Sequence, residues 1–242
     1  MFPISDHNPT LRPPVATYSI IAVNVLVWVV FQGMGAEPGL SRSVCELGLI
    51  PGEFLHLLPN GYQIPLGQGM ACVVAPGISW YVPLTSMFMH GSWFHLIGNM
   101  WFLHVFGNNV EDVMGRGRFV AYYLLCGLAA AGAQIAVAPA SPIPMVGASG
   151  AIGGVMGGYV LLYPWARIRT FVFLFFVEVP AVFMLGYWFL LQLAGGTATN
   201  AGVGGVAFWA HVGGFAGGLI LTPLFRDAEL YAIHRSSTVR VH

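Results

Sequence analysis

The sequence predicts an all-α, polytopic membrane protein: six membrane-crossing helices in one bundle, with a long outer loop between the first two. Three observations carry that prediction. Of 242 residues, 57% are hydrophobic and only 7% charged, with a mean hydropathy of +0.74, whereas soluble domains carry roughly 25% charged residues. Six apolar runs have, or approach, the length that crosses about 30 Å of hydrocarbon. The arginines crowd into the connections on one side of those runs.

Residues 1–15 form an N-terminal segment, MFPISDHNPTLRPP and Val15. It does not read as a secretory signal, because the apolar run behind it meets Gln32 and Gly33 instead of a small-x-small cleavage site. The six runs cover residues 16–31, 94–110, 119–137, 149–163, 171–193 and 206–225. Glu178 and Pro180 interrupt the fifth, and Glu178 is expected near the cytoplasmic interface, where the fifth helix begins. Residues 226–242 are expected to form a cytoplasmic tail. No internal repeat is evident, and the halves lack the paired broken helices of inverted-repeat transporters. Residues 16–225 therefore read as a single domain.

With the N-terminus in the cytoplasm, Arg12, Arg116, Arg118, Arg167, Arg169, Arg226, Arg235 and Arg240 all fall inside, and only Arg42 falls outside. Such asymmetry over short loops is the positive-inside pattern. It places both termini in the cytoplasm and residues 32–93, with the turn-rich LLPNGYQIP, outside.

Several function classes are excluded. The chain has no lysine and zero formal net charge, so it lacks the cations that neutralise nucleic-acid phosphates. Neither CxxC pairs nor HExxH occur, so no metal site and no cofactor is expected. The 32 glycines and 16 prolines interleave with long apolar runs, as membrane helices tolerate. Cys45 and Cys72 share the outer loop and form either a disulfide in an oxidising compartment or two free thiols.

The informative residues are polar ones in apolar runs. His95 and Asn99 lie one turn apart on one face of the second run. The fourth begins Gly147-Ala-Ser149-Gly150, and the sixth carries His211 early, in AHVGG. All three helices run from outside to inside under the assigned topology, so the four polar side chains share one depth. Ser149, Gly153 and Gly157 form a ladder on the fourth helix, and His211, Gly214 and Gly218 share a face of the sixth. Small-residue ladders let membrane helices approach closely. The hydroxyl and imidazole are thereby brought toward hydrogen-bond reach, and a hydroxyl becomes a useful nucleophile once a base takes its proton.

GASG around Ser149, HxxxN from His95 to Asn99, and AHxxGxxxG from Ala210 to Gly218 resemble the motifs of rhomboid intramembrane serine proteases. Glu111, Gly115-Arg116 and Asn8-Pro9 resemble features of the bacterial members, which suggests a plasma (inner) membrane. The resemblance implies a Ser149–His211 dyad, with His95, Asn99 and the Ser149 N–H stabilising the oxyanion. It also implies single-span membrane proteins as substrates, reaching the site laterally past the fifth helix and the loop 194–205. Gly147, Gly150, Gly153, Gly157, Gly214 and Gly218 are expected to serve close packing. Donors aimed at a developing oxyanion are each worth roughly 3–4 kcal/mol in a dry site. Asp6, Asp112 and Asp227 are all expected at the cytoplasmic side, so no aspartate completes a triad, and the outer-loop glutamates Glu37, Glu46 and Glu53 are the only carboxylates expected within reach of the site.

Two positions depart from the family pattern. Many members carry an aromatic residue four positions after the serine, stacked on the histidine, and here that position is Gly153. The first-loop Trp-Arg pair is replaced around Trp80-Tyr81-Val82. Blander roles also stand beside the sharp ones: Ser149 as a helix N-cap, His104 as a packing residue, His90 as a lining residue near the site. Two other functions remain open: a non-proteolytic rhomboid-like client-binding protein, and a channel using His95, Asn99 and His211, which would spread polar groups over several depths.

Overall fold

The computed structural model describes residues 1–67, 69–77, 79–198 and 206–239. A helix overlaps each of the six apolar runs: α1 (Val15–Val30), then, after three short outer-loop helices, α5 (Trp93–Met114), α6 (Arg116–Val137), α7 (Ser149–Leu162), α8 (Ala181–Ala198) and α9 (Phe208–Phe225). Among the described residues, α6, α8 and α9 are long and apolar enough to cross a membrane by length and composition; α1 and α7 are apolar but shorter. The 22-residue α5 has the length but carries His95, Asn99, Glu111 and Asp112.

The outer loop holds α2 (Gly39–Leu47), α3 (Pro51–Phe54), α4 (Val82–Thr85) and a hairpin of β2 (Gln63–Gly67) and β3 (Met70–Val73). Cys45 and Cys72 are disulfide-bonded, tying α2 to β3, and the small cluster of Ile50, Ile64, Cys72 and Val74 gives the loop its own core. A bridge between Leu49 and Met145 fastens it to the segment that precedes α7.

Three features correct the sequence expectation. The chain is mostly helical, not all-α, because a three-stranded antiparallel sheet forms in the order β1 (Phe2–Asp6), β4 (Arg167–Val172), β5 (Phe175–Pro180). The fifth apolar run is therefore split: residues 171–180 belong to the hairpin, and α8 starts at Ala181. Pro180 marks the junction, since it donates no N–H to a continuing ladder. The described part of the expected tail is helical, because α10 (Ala228–Val239) packs back on α5 and buries His234, whose Nε2 lies 3.0 Å from the Pro9 carbonyl. Arg240 lies outside the described residues, as does the 199–205 part of the expected 194–205 loop.

The end of the bundle remote from Ser149 is closed by carboxylates, of which Glu111 and Asp112 are buried. Glu111 caps α1 by accepting from the N–H groups of Ala16 and Thr17 at 3.0 and 2.8 Å, and from the Thr17 hydroxyl. Asp112 accepts from Leu11 N at 2.7 Å and pairs with Arg12. Asp6 accepts from Tyr159 Oη at 2.6 Å, and Asp227 pairs with Arg118. Every aspartate is thus engaged away from Ser149, as the sequence suggested. Glu178 sits on β5 just before α8, 3.2 Å from His7.

The core is the packing of α6, α7 and α9. A Cβ on Gly214 would strike the Gly150 carbonyl, one on Gly218 the Gly154 carbonyl, and one on Gly157 the Phe215 carbonyl. Both contacts from α9 join residues 64 apart (150 to 214, 154 to 218), so α7 and α9 run parallel in fixed register. Gly154, not singled out in the sequence, belongs to this seam.

Candidate active site

Ser149 is the first residue of α7; Ala148 occupies the cap position, and no side-chain capping bond is made there. The N-cap role is therefore absent and the Ser149 hydroxyl is left for other use. Its Oγ lies 2.8 Å from His211 Nε2, because the parallel seam sets the start of α9 beside the start of α7. His211 Nδ1 lies 2.8 Å from Gln192 Oε1, on α8. An amide oxygen only accepts, so Nδ1 carries the proton, Nε2 is left as acceptor, and the Ser149 hydroxyl donates to it. A hydroxyl–imidazole–amide chain results, with the base in the tautomer that can take the serine proton.

Gln192 was not among the residues singled out in the sequence. Its position is taken up by no carboxylate, yet the imidazole is not left without an orienting partner. The same helix resolves the Gly153 departure. Trp188, one turn before Gln192, places its ring centroid 5.7 Å from that of His211. A Cβ on Gly153 would meet the Trp188 ring at 3.7 Å and the His211 carbonyl at 3.2 Å. The space that a ring at position 153 would use is thus filled from α8.

His95 and Asn99 come to the same place from α5. Ser92 caps that helix by accepting from His95 N at 3.1 Å. His95 Nδ1 accepts from Gly91 N at 3.3 Å, so the neutral ring carries its proton on Nε2, facing Gly147. Gly147 has φ +123°, and a Cβ there would lie 2.6 Å from that nitrogen; the position requires glycine on both counts. Asn99 Nδ2 is buried without a hydrogen-bond partner. Ser149 heads its helix, where the first N–H groups have no intrahelical acceptor. His95 Nε2 and Asn99 Nδ2 thus both face Gly147, two residues before Ser149, and line the same cavity as Ser149.

These groups line one cavity of about 510 Å³, walled by Phe94, Gly98 and Phe102 of α5, Ile152 and Met156 of α7, and Trp188 of α8. His90 does not line it. That ring is fully buried behind His95, with centroids 5.1 Å apart, and burial holds its imidazole down at about 3, so it is neutral. His104, as expected, is a packing residue, 3.3 Å from the Tyr18 hydroxyl. Among the described residues no cluster of His, Cys, Asp or Glu could hold a metal ion.

Residues 78–228 match the family model of the rhomboid domain. The chain belongs to the rhomboid family. The match spans α5 to α9 and so includes every residue of the cavity's polar chain. Curated relatives of this rhomboid chain include Rhomboid-like protein 11, chloroplastic, of Arabidopsis thaliana, 29% identical over 55% of this chain and 44% of the relative. Rhomboid protein 1, mitochondrial, of Saccharomyces cerevisiae is 32% identical over 56% of this chain and 39% of its own length. Rhomboid protease GluP of Bacillus subtilis is 30% identical over 62% and 24%. The aligned region spans less than half the length of each of these relatives.

Proposed function

We propose that this rhomboid chain is an intramembrane serine endopeptidase that cleaves single-span membrane proteins near the outer surface of the bilayer. The observation that carries the reading is the 2.8 Å contact between Ser149 Oγ and His211 Nε2, in a cavity where the Asn99 amide is buried with no partner. A buried, unpartnered donor costs about 1–3 kcal/mol, which an oxyanion formed beside it would recover. The Bacillus subtilis relative, named Rhomboid protease GluP, lends support.

In this reading Ser149 Oγ attacks the scissile carbonyl while His211 Nε2 takes its proton. His95 Nε2–H, Asn99 Nδ2–H and the Ser149 N–H stabilise the oxyanion. Collapse breaks the C–N bond, the imidazolium protonates the leaving amine, and an acyl group stays on Ser149. Water, deprotonated by His211, then hydrolyses the ester. Gln192 acts by orienting His211 and does not touch substrate. Substrate segments reach the cavity laterally between α5 and α8.

The finer topology belongs to the same proposal: six spans (α1 and α5 to α9) in a protease domain of residues 16–225, both termini cytoplasmic, residues 32–93 outside, in a bacterial plasma (inner) membrane. A fluorophosphonate probe tests the chemistry without a known substrate. Stoichiometric labelling of folded protein, mapped to Ser149 and lost in His211→Ala, is expected. Absence of any Ser149 adduct on folded protein would favour a client-binding rhomboid-like protein instead.

A further inference from the structure

The β4–β5 hairpin is unlike a hairpin that meets water. Its run Phe171–Val177 is wholly apolar, and the two-residue turn is Phe173-Leu174, 91% and 84% exposed, followed by Phe175 at 72% and Phe176 at 57%. Phe173 adopts φ +54°, a conformation that turns normally give to Gly, Asn or Asp. An apolar residue in that position gains nothing from water. Charge lies toward the other end of the hairpin, at Arg167, Arg169 and Glu178, and the Arg169 guanidinium reaches forward over the Phe176 ring, 4.9 Å from its centroid.

Contacts along α5 give the tip a depth. Phe2 pairs across the sheet with Phe171, and the Phe2 ring packs on Trp101 and Phe102 at 6.0 and 5.8 Å while Trp101 Nε1 donates to the Pro3 carbonyl at 2.7 Å. Trp101 lies 13 residues before Met114, the end of α5 (101 to 114), or about 20 Å along the helix at 1.5 Å per residue. The base of the sheet, by contrast, is held at Asp6 to Tyr159, near the end of α7. The sheet thus climbs from the arginine-rich end of the bundle toward its middle. Beside it the exposed Phe183 of α8 and Trp165 continue the apolar surface.

We infer that the β4–β5 hairpin is a lipid-embedded wedge: its Phe173–Phe175 tip occupies the acyl chains of the leaflet on the side of the arginine-rich helix ends, and Arg167 and Arg169 meet the lipid phosphates, with Phe176 at the boundary under the Arg169 guanidinium. The inference uses α5 as a bilayer-crossing helix and is independent of any proteolytic chemistry. An open strand edge is costly in hydrocarbon, so the free edge of β5 limits how far the hairpin sinks. The tip enters the acyl region, and the base stays among headgroups.

The test places a fluorophore at the tip through Leu174→Cys; Cys126 is buried and Cys45 and Cys72 are paired, so the unsubstituted protein serves as labelling control. The labelled protein is reconstituted in phosphatidylcholine–phosphatidylglycerol vesicles after its thermal unfolding has been matched to that of the unsubstituted chain. Acyl-chain nitroxide lipids are expected to quench the probe at least twofold, with little effect of iodide on either side, whereas a probe at Arg169→Cys responds to headgroup-labelled lipid. Stronger quenching by iodide than by acyl-chain nitroxides would place the tip in water and overturn the inference. Quenching by neither would mean that protein covers it, and would overturn it equally. Fluorophosphonate labelling of Ser149 in the same sample reads the protease proposal separately.

Discussion

Replacing Gln192 by leucine removes the acceptor from His211 Nδ1 while keeping most of the side-chain volume. In the ground state the lost bond is one of neutral partners, worth about 0.5–1.5 kcal/mol. As the imidazole takes the serine proton it becomes a cation, and a hydrogen bond to a charged group is worth about 1.5–3 kcal/mol. The difference, about 1–1.5 kcal/mol, falls on the transition state, so the rate of the Ser149 step should drop about 5- to 10-fold, at 1.4 kcal/mol per tenfold. The Nδ1–H left behind has no acceptor at 2.8 Å to replace the amide oxygen. Gln192→Glu restores an acceptor and should recover most of the rate, and its carboxylate, by favouring the imidazolium, should move the acidic limb of the pH–rate profile. The assay is the single-turnover rate of Ser149 phosphonylation by a fluorophosphonate, in which fluoride leaves, with thermal unfolding as a check on folding. A Gln192→Leu rate within twofold of wild type, with an unchanged pH profile, would refute the orienting role.

Other outcomes follow from the same geometry. Trp188→Ala should slow acylation about 2- to 10-fold, the value of one aromatic contact at about 0.5–1.5 kcal/mol; Gly153→Phe alone should inactivate by clashing with Trp188, and the two together should regain part of the rate. Gly218→Ala should destabilise by about 1–3 kcal/mol through overpacking against the Gly154 carbonyl, read as a lowered unfolding temperature in detergent. Burial raises the Asp6 carboxyl to about 6 from 3.8, so the folded state binds this proton more tightly than the unfolded one. That contribution to stability is present below about pH 4 and is lost as pH rises toward 6. Corrected hydrogen exchange of the β1 amides should therefore quicken between pH 4 and 7 in the wild type and stay level in Asp6→Asn.

The parts of this molecule that were legible in its sequence are those governed by continuous patterns. Long apolar runs located the six helices, and the four-residue spacing of Gly153 with Gly157 and of Gly214 with Gly218 anticipated the α7–α9 seam. The matched depth of Ser149, His211, His95 and Asn99 anticipated the cavity. What escaped was hidden by the same apolarity. The stretch FVFLFFVEVP merges with the start of α8, and a short apolar run cannot be assigned to strand or helix by periodicity alone; Glu178 and Pro180 are its sole punctuation. β1 is five residues long and exists through its pairing with β4, a partner more than 160 residues away. Gln192 is a single amide in the apolar FLLQLA, and only its one-turn spacing from Trp188 marks it in the sequence. The Cys45–Cys72 pairing depended on how the outer loop folds, which spacing does not encode.

Proteolysis itself is measured most directly by incubating the reconstituted protein with tagged single-span membrane proteins and mapping the products by mass spectrometry, for wild type, Ser149→Ala and His211→Ala. Cleavage at a defined peptide bond near the outer end of the substrate's span, abolished in both variants, is the predicted result. Cleavage that persists in folded Ser149→Ala would contradict the account.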